Sequence, residues 1–168
     1  MRAALRYKDV TKTWLEKATP NSHRVALARY FEDDKGIRHY VDNKYVKHNN
    51  SKREIEVAYL LEKTFGGEIS LLPEVVDTQK MKCADYLWNG EKWDLKGIRG
   101  IGKNNVDDKV KDCKKQAHCF IIDNTRHLLP YDNVLKQCER VFINNYRIWV
   151  QRIMIVDGND IKCILERQ

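Results

Sequence analysis

The stretch Ala84-Asp85-Tyr86-Leu87-Trp88-Asn89-Gly90-Glu91-Lys92-Trp93-Asp94-Leu95-Lys96 decides both the fold and the chemistry expected of this chain. Two runs of strand character flank Asn89-Gly90, the pair best suited to a type I′ hairpin turn because both central residues need positive φ. With a two-residue turn, Trp88 pairs with Glu91, Tyr86 with Trp93 and Asp85 with Asp94. Side chains alternate by face along a strand, so Ala84, Tyr86, Trp88, Glu91, Trp93 and Leu95 share one mainly apolar face. Asp85 and Asp94 then meet on the other, with Lys96 two residues on. Like charges directly opposite each other are unfavourable and call for a compensating cation. Lys96 supplies one. A divalent metal between the carboxylates would supply more, and hard oxygen ligands suit Mg²⁺ or Mn²⁺. A solvated polar strand face with a plain Asp–Lys pair is the alternative.

Working outward, Ser51 to Phe65 reads as a helix, with Ser51 as its cap and Gly66-Gly67 as its stop. At about 100° per residue, Val57, Ala58, Leu61 and Phe65 fall within about 60° of Glu54, whereas Glu56 lies about 160° away. Glu54 is thus a carboxylate inside the apolar face, placed to reach the sheet margin and complete a site. The competing reading is a first-turn glutamate favoured by the helix dipole. Glu68 to Leu72 predicts a strand ended by Pro73, Val106 to Ala117 a helix, and Cys119 to Ile122 a fully buried strand. Tyr131 to Asn144 predicts a helix, and Ile148 to Val156 and Ile161 to Leu165 a closing hairpin. The order after residue 50 is therefore α-β-β-β-α-β-α-β-β. Before it, one or two basic helices to about Asp34 and a hairpin of Ile37–Val41 with Lys44–Val46 make an N-terminal extension, residues 1–50.

A chain of 168 residues, 42% hydrophobic and 33% charged, has the composition of one folded domain rather than a disordered segment. No apolar run reaches the roughly 18 residues of a membrane helix, and the start lacks the apolar core of a secretory signal. The formal charge of +7 attracts polyanions, nucleic acid foremost. Cys83, Cys113, Cys119, Cys138 and Cys163 form no CxxC pair and lie in apolar surroundings, as buried free thiols of a reducing compartment do. The loop Gly97 to Lys103 could cradle phosphates through Arg99, Lys103 and its amides, or be a plain connector. Gln116, late in its helix, is a candidate for contact with the site or RNA, and His118 a weaker one. Lys109, Lys111, Lys114 and Lys115 read as a solvated helix face, and the four tryptophans as core.

Glu54, then Asp85, then Asp94-Leu95-Lys96, on α-β-β-β-α-β order, resembles the PD-(D/E)XK nuclease superfamily. The resemblance implies that Asp85 and Asp94 bind a metal and that Lys96 orients or activates the attacking water. Ala84 stands where the family's name puts proline. A closer resemblance covers about residues 36 to 167. Glu54-Ile55-Glu56-Val57-Ala58, Leu71-Leu72-Pro73-Glu74, Ala84-Asp85-Tyr86, Asn89 to Lys96 and Lys115-Gln116-Ala117 look like the C-terminal tRNase domains of CdiA-type contact-dependent growth-inhibition toxins. Similar stretches end some phage minor head proteins. That resemblance implies a nuclease-like domain over 51–168, cleavage of RNA and of tRNA in particular, and a cognate immunity protein. It also implies action in the cytoplasm after delivery by a secreted toxin or phage particle. Some such toxins are related to barnase, colicin D and RelE, which implies an alternative: an antiparallel α+β sheet and a metal-independent RNase in which a lysine or histidine handles charge. The helix predicted between Lys96 and Cys119 favours the metal-nuclease topology, since a parallel return requires a crossover. A non-catalytic nucleic-acid-binding or virion-associated domain is the alternative from another class. Retention of Asp85, Asp94 and Lys96 together favours the enzyme, and the residues leave RNA and DNA both open.

Overall fold

The computed structural model describes residues 8–9, 25–27, 30–32, 38–40, 46–47, 50–67, 69–72, 74–75 and 84–168. They belong to two compact units, Met1–Asn89 and Gly90–Gln168. The first contains strands β1 (Lys8–Asp9), β2 (Val25–Leu27), β3 (Tyr30–Glu32), β4 (Arg38–Tyr40) and β5 (Val46–Lys47). Helix α1 (Lys52–Phe65) and strands β6 (Ile69–Leu71), β7 (Glu74–Val75) and β8 (Tyr86–Trp88) follow. Strands thus stand where helices were expected at Lys8–Asp9, Val25–Leu27 and Tyr30–Glu32; the remainder of those expected helices lies outside the described residues, as does Cys83. The expected pairing of β4 with β5 is replaced by antiparallel pairs of β4 with β3 and of β5 with β7. Short strands carry too few side chains to fix their own partners, so distant segments decide them.

Helix α1 forms as its sequence dictates. Ser51 Oγ accepts from the Glu54 amide, and the Glu54 carboxylate accepts from the Ser51 amide at 2.9 Å, closing a capping box. Gly66, at φ 71°, takes the positive-φ conformation that ends the helix. Val57, Ala58 and Leu61 are fully buried. Within this unit β6 pairs parallel with β2 and antiparallel with β8. Two side chains of β8 fasten the helix: the Tyr86 hydroxyl donates to Glu54 O at 2.9 Å, and the Trp88 indole donates to Gly66 O at 3.3 Å.

The second unit is an α/β arrangement. Strand β9 (Glu91–Gly97), helix α2 (Asn105–Val110), strand β10 (Cys119–Asp123), helix α3 (Tyr131–Ile143), a 3₁₀ turn at Asn145–Arg147, and strands β11 (Arg152–Asp157) and β12 (Asp160–Glu166) follow in order. β10 pairs parallel with both β9 and β11, and β12 closes antiparallel on β11. The parallel pairs exclude the barnase-like antiparallel sheet, because each return runs through a crossover containing a helix. The α-β-β-β-α-β order is therefore present as expected, α1-β6-β8-β9-α2-β10, with β7 as an added short strand. The central strand β10 has Phe120, Ile121 and Ile122 all at 0% exposure, as a strand covered on both faces requires.

Two expected elements are shorter. The helix predicted to Ala117 stops at Val110, and hydrogen-bonded turns through Cys113 carry the chain to Ala117. The strand predicted from Ile148 begins at Arg152, after the 3₁₀ turn. That turn is held by Arg147, whose guanidinium meets both Asp107 oxygens at 2.9 and 3.0 Å. Arg167 locks the end of the chain. Its guanidinium donates at 2.9 Å to Val150 O, Phe142 O and Arg147 O, and lies over the Phe142 ring. Arg167→Ala removes three charge-assisted bonds and is expected to lower stability by about 2 kcal/mol, read as a lower urea midpoint with an unchanged slope.

The thiols behave as the cysteine pattern implies. Cys113, Cys119, Cys138 and Cys163 are free, the first three buried. Burial, with Glu91 beside it, pushes the Cys119 thiol up to about 11. Burial also pushes the Cys138 thiol far up, so both stay protonated and inert at neutral pH.

Candidate active site

Strand β9 carries the second half of the expected site. Alternation puts Lys92, Asp94 and Lys96 on one face. On β10, Phe120 stands beside Asp94 and Ile122 beside Lys96. With those two apolar neighbours at 0% exposure, Asp94 is itself only 1% exposed. A carboxylate in such surroundings is costly unless paired. The Lys96 ammonium lies 2.6 Å from Asp94 Oδ2. Asp94 Oδ1 has no hydrogen-bond partner among the described residues. A carboxylate with one oxygen against lysine and the other without a partner among the described residues has the oxygen chemistry that a hard cation takes.

Glu54 and Asp85 belong to the first unit. Glu54 is half-buried, and Glu56 is exposed in ion pairs with Lys52 and Arg53, as the helical reading required. One Glu54 oxygen serves the helix cap and also lies 3.5 Å from Asn50 Nδ2. The Glu54 carboxylate thus caps its own helix and touches Asn50. Asn50 Nδ2 donates to Leu72 O at 3.2 Å, and Leu72 N donates to Asp85 O at 2.8 Å. The Tyr86 bond to Glu54 O ties the same helix turn to the residue after Asp85. Asn50 Oδ1 is buried with no partner among the described residues. Its sequence position, in a polar link before a helix cap, carries no signal of this role.

At the junction of the two strands, Asn89 and Gly90 have φ of 51° and 79°, the positive values that a type I′ turn requires. Among the described residues no group of three His, Cys, Asp or Glu side chains could hold a metal. A cation would therefore complete its shell with water and substrate oxygens, as Mg²⁺ usually does.

The phosphate-binding candidates separate. Arg99 and Lys103 are exposed on a loop that is no loose connector. Asn105 Nδ2 donates at 2.8 Å to both Gly100 O and Gly102 O, Gln137 Nε2 donates to Gly102 O, and Ile98 is buried. Gln116 is half-buried at the rim of a cavity. His118 is exposed with its ring near Trp149, and His127 pairs with Asp157 at 2.9 Å. Trp88, Trp93 and Trp149 are buried, so they pack the core rather than stack bases.

Residues 82–161, just under half of the chain, match the contact-dependent growth inhibition CdiA C-terminal domain family. The matched stretch runs from before Asp85 to the start of β12. The fold is also similar to a CdiA-CT/CdiI toxin and immunity complex from Burkholderia pseudomallei, at 16% identity and a TM-score of 0.49 over 68% of this chain and 82% of that one. No curated protein matches the sequence. No described helix is long and apolar enough to cross a membrane.

Proposed function

We propose that the chain is a toxin nuclease that hydrolyses RNA, tRNA foremost, at a centre made by Asp85, Asp94 and Lys96 with Glu54 at its margin. The observation that carries this reading is Asp94: a carboxylate at 1% exposure, touched by Lys96 and with no hydrogen-bond partner for Oδ1 among the described residues. A carboxylate serving stability alone would be expected to have both oxygens satisfied. A two-residue turn at Asn89-Gly90 would set Asp85 across from Asp94, so a crystal structure is expected to show the two carboxylates about 4–6 Å apart, one metal's reach. Finding them on opposite faces of the sheet would sink this centre.

Asp94 and Asp85 would hold Mg²⁺ or Mn²⁺, which when bound neutralises charge on the scissile phosphate and lowers the pKa of bound water. Lys96, against Asp94 Oδ2, would orient the attacking water. Arg99 and Lys103, on a pinned loop, and Gln116 contact the RNA backbone, which fixes register without reading sequence. The likeness to that family supports action in a recipient's cytoplasm and an immunity protein that protects the producer.

Incubation with total tRNA and with plasmid DNA, in Mg²⁺ and in chelator, tests the proposal. Cleavage of tRNA in Mg²⁺ or Mn²⁺ and silence in chelator are expected. Cleavage of plasmid in preference to tRNA would overturn the RNA assignment, and no cleavage of either would favour a binding domain.

A further inference from the structure

A cavity of about 420 Å³ opens where strands β9, β10 and β11 begin, lined by Lys92, Lys114, Lys115, Gln116, His118 and Gln151 among others. Its floor is backbone: Gln151 N donates to His118 O at 2.8 Å, tying the starts of β10 and β11 together. The turns that replace the end of the expected helix deliver Lys114 and Lys115 to its wall. Lys92, Lys114 and Lys115 are exposed, so their charges cost little to maintain, and His118 is exposed beside them. The one acid in the lining, Glu91, is engaged by the Arg152 guanidinium, which also meets Glu166 outside the lining, so the three lysines still outweigh the carboxylates. Pockets for apolar ligands are walled mainly by aliphatic and aromatic side chains, and this one is walled by cations and amides.

Lys92 also shares the β9 face of Asp94, two residues away, about 7 Å along the strand. That is on the order of one nucleotide step, so an RNA strand with one phosphate at Asp94 would bring a neighbouring phosphate to Lys92. We propose that the cavity is a phosphate subsite, taking a backbone phosphate of the substrate that flanks the one cut. Lys92, Lys114 and Lys115 supply the charge, and His118 and Gln151 the polar edge. The subsite rests on the nuclease reading only for its position relative to the cut.

The test uses the full chain with Asp94→Asn, to stop turnover, and labelled total tRNA as the probe. Lys114→Ala with Lys115→Ala is compared with a control of equal charge loss, Lys52→Ala with Lys162→Ala, on exposed residues outside the cavity. Two single-strand phosphate contacts predict a fall of about 1.4 in the slope of log affinity against log salt, and an affinity loss of about tenfold near 150 mM salt. The control pair should change affinity by less than about twofold. In the active chain the cavity pair should raise KM and leave kcat nearly unchanged. Equal losses in both pairs, or no loss in the cavity pair, would overturn the subsite. A chain that binds tRNA through the cavity but cuts nothing would refute the nuclease reading and leave the subsite standing. Cleavage indifferent to the cavity pair would do the reverse.

Discussion

Asp94→Asn is expected to abolish cleavage, with a rate loss of at least about 10³-fold, while the fold and most RNA affinity survive. The rate loss corresponds to about 4 kcal/mol of transition-state stabilisation, within what a bound metal supplies to a developing charge. An amide in place of the carboxylate keeps the shape but loses the charge that would hold the cation. Stability should stay within about 1 kcal/mol of the parent, because removing a buried ion also removes its desolvation cost. The lysine left behind has 20% of its side chain exposed and can turn its ammonium to water. Affinity persists because dispersed lysines and arginines, from a chain of net charge +7, contact phosphates. Single-turnover assays and urea titration read both effects. The parent should fall silent in chelator and recover in Mg²⁺ or Mn²⁺. Full activity in excess chelator, with products ending in 2′,3′-cyclic phosphate, would refute the metal reading and transfer the chemistry to Lys96 with a histidine.

What was legible in the sequence was local. Ser51 and Glu54 announce their capping box three residues apart, Asn89-Gly90 its positive-φ turn, and Cys119 to Ile122 a buried strand. In each case the physical cause lies within a few residues, so reading the chain in order finds it. Asp94 and Lys96 follow from the same alternation, and their contact at 2.6 Å is what two residues on one strand face can make. What was not legible depends on partners far along the chain. α2 ends at Val110 although the apolar spacing continues, and turns through Cys113 then carry the chain to Ala117. Asn50 sits in a run of polar residues that gives no hint of its bond to Leu72 O, 22 residues away. The cavity draws on residues near 92, 115 and 151, a combination no periodicity can show. The N-terminal strands are two or three residues long, and their pairings were beyond reach for the same reason.

Lys96→Ala is expected to cost both activity and stability, and the stability loss carries the sharper argument. The substitution leaves Asp94 at 1% exposure beside Phe120 and Ile122 with its charge uncompensated. Breaking a buried pair in this way costs about 3–5 kcal/mol, whereas removing both partners costs far less. Lys96→Ala with Asp94→Asn should therefore be more stable than Lys96→Ala alone, although it carries one more change. Such a reversal cannot come from lost packing, since the lysine stem is missing in both variants. Metal gives an independent reading. A cation held at Asp94 binds the folded chain and not the unfolded one, so it raises stability with its concentration. Mn²⁺ should raise the melting temperature of Lys96→Ala, where it replaces the missing positive charge. It should leave that of the chain lacking the Asp94 carboxylate unmoved. If the double variant proves no more stable than Lys96→Ala, the lysine supports the fold through its stem alone. If Mn²⁺ then stabilises both chains alike, Asp94 is not a ligand, and the open oxygen at its Oδ1 must be filled by something other than a metal.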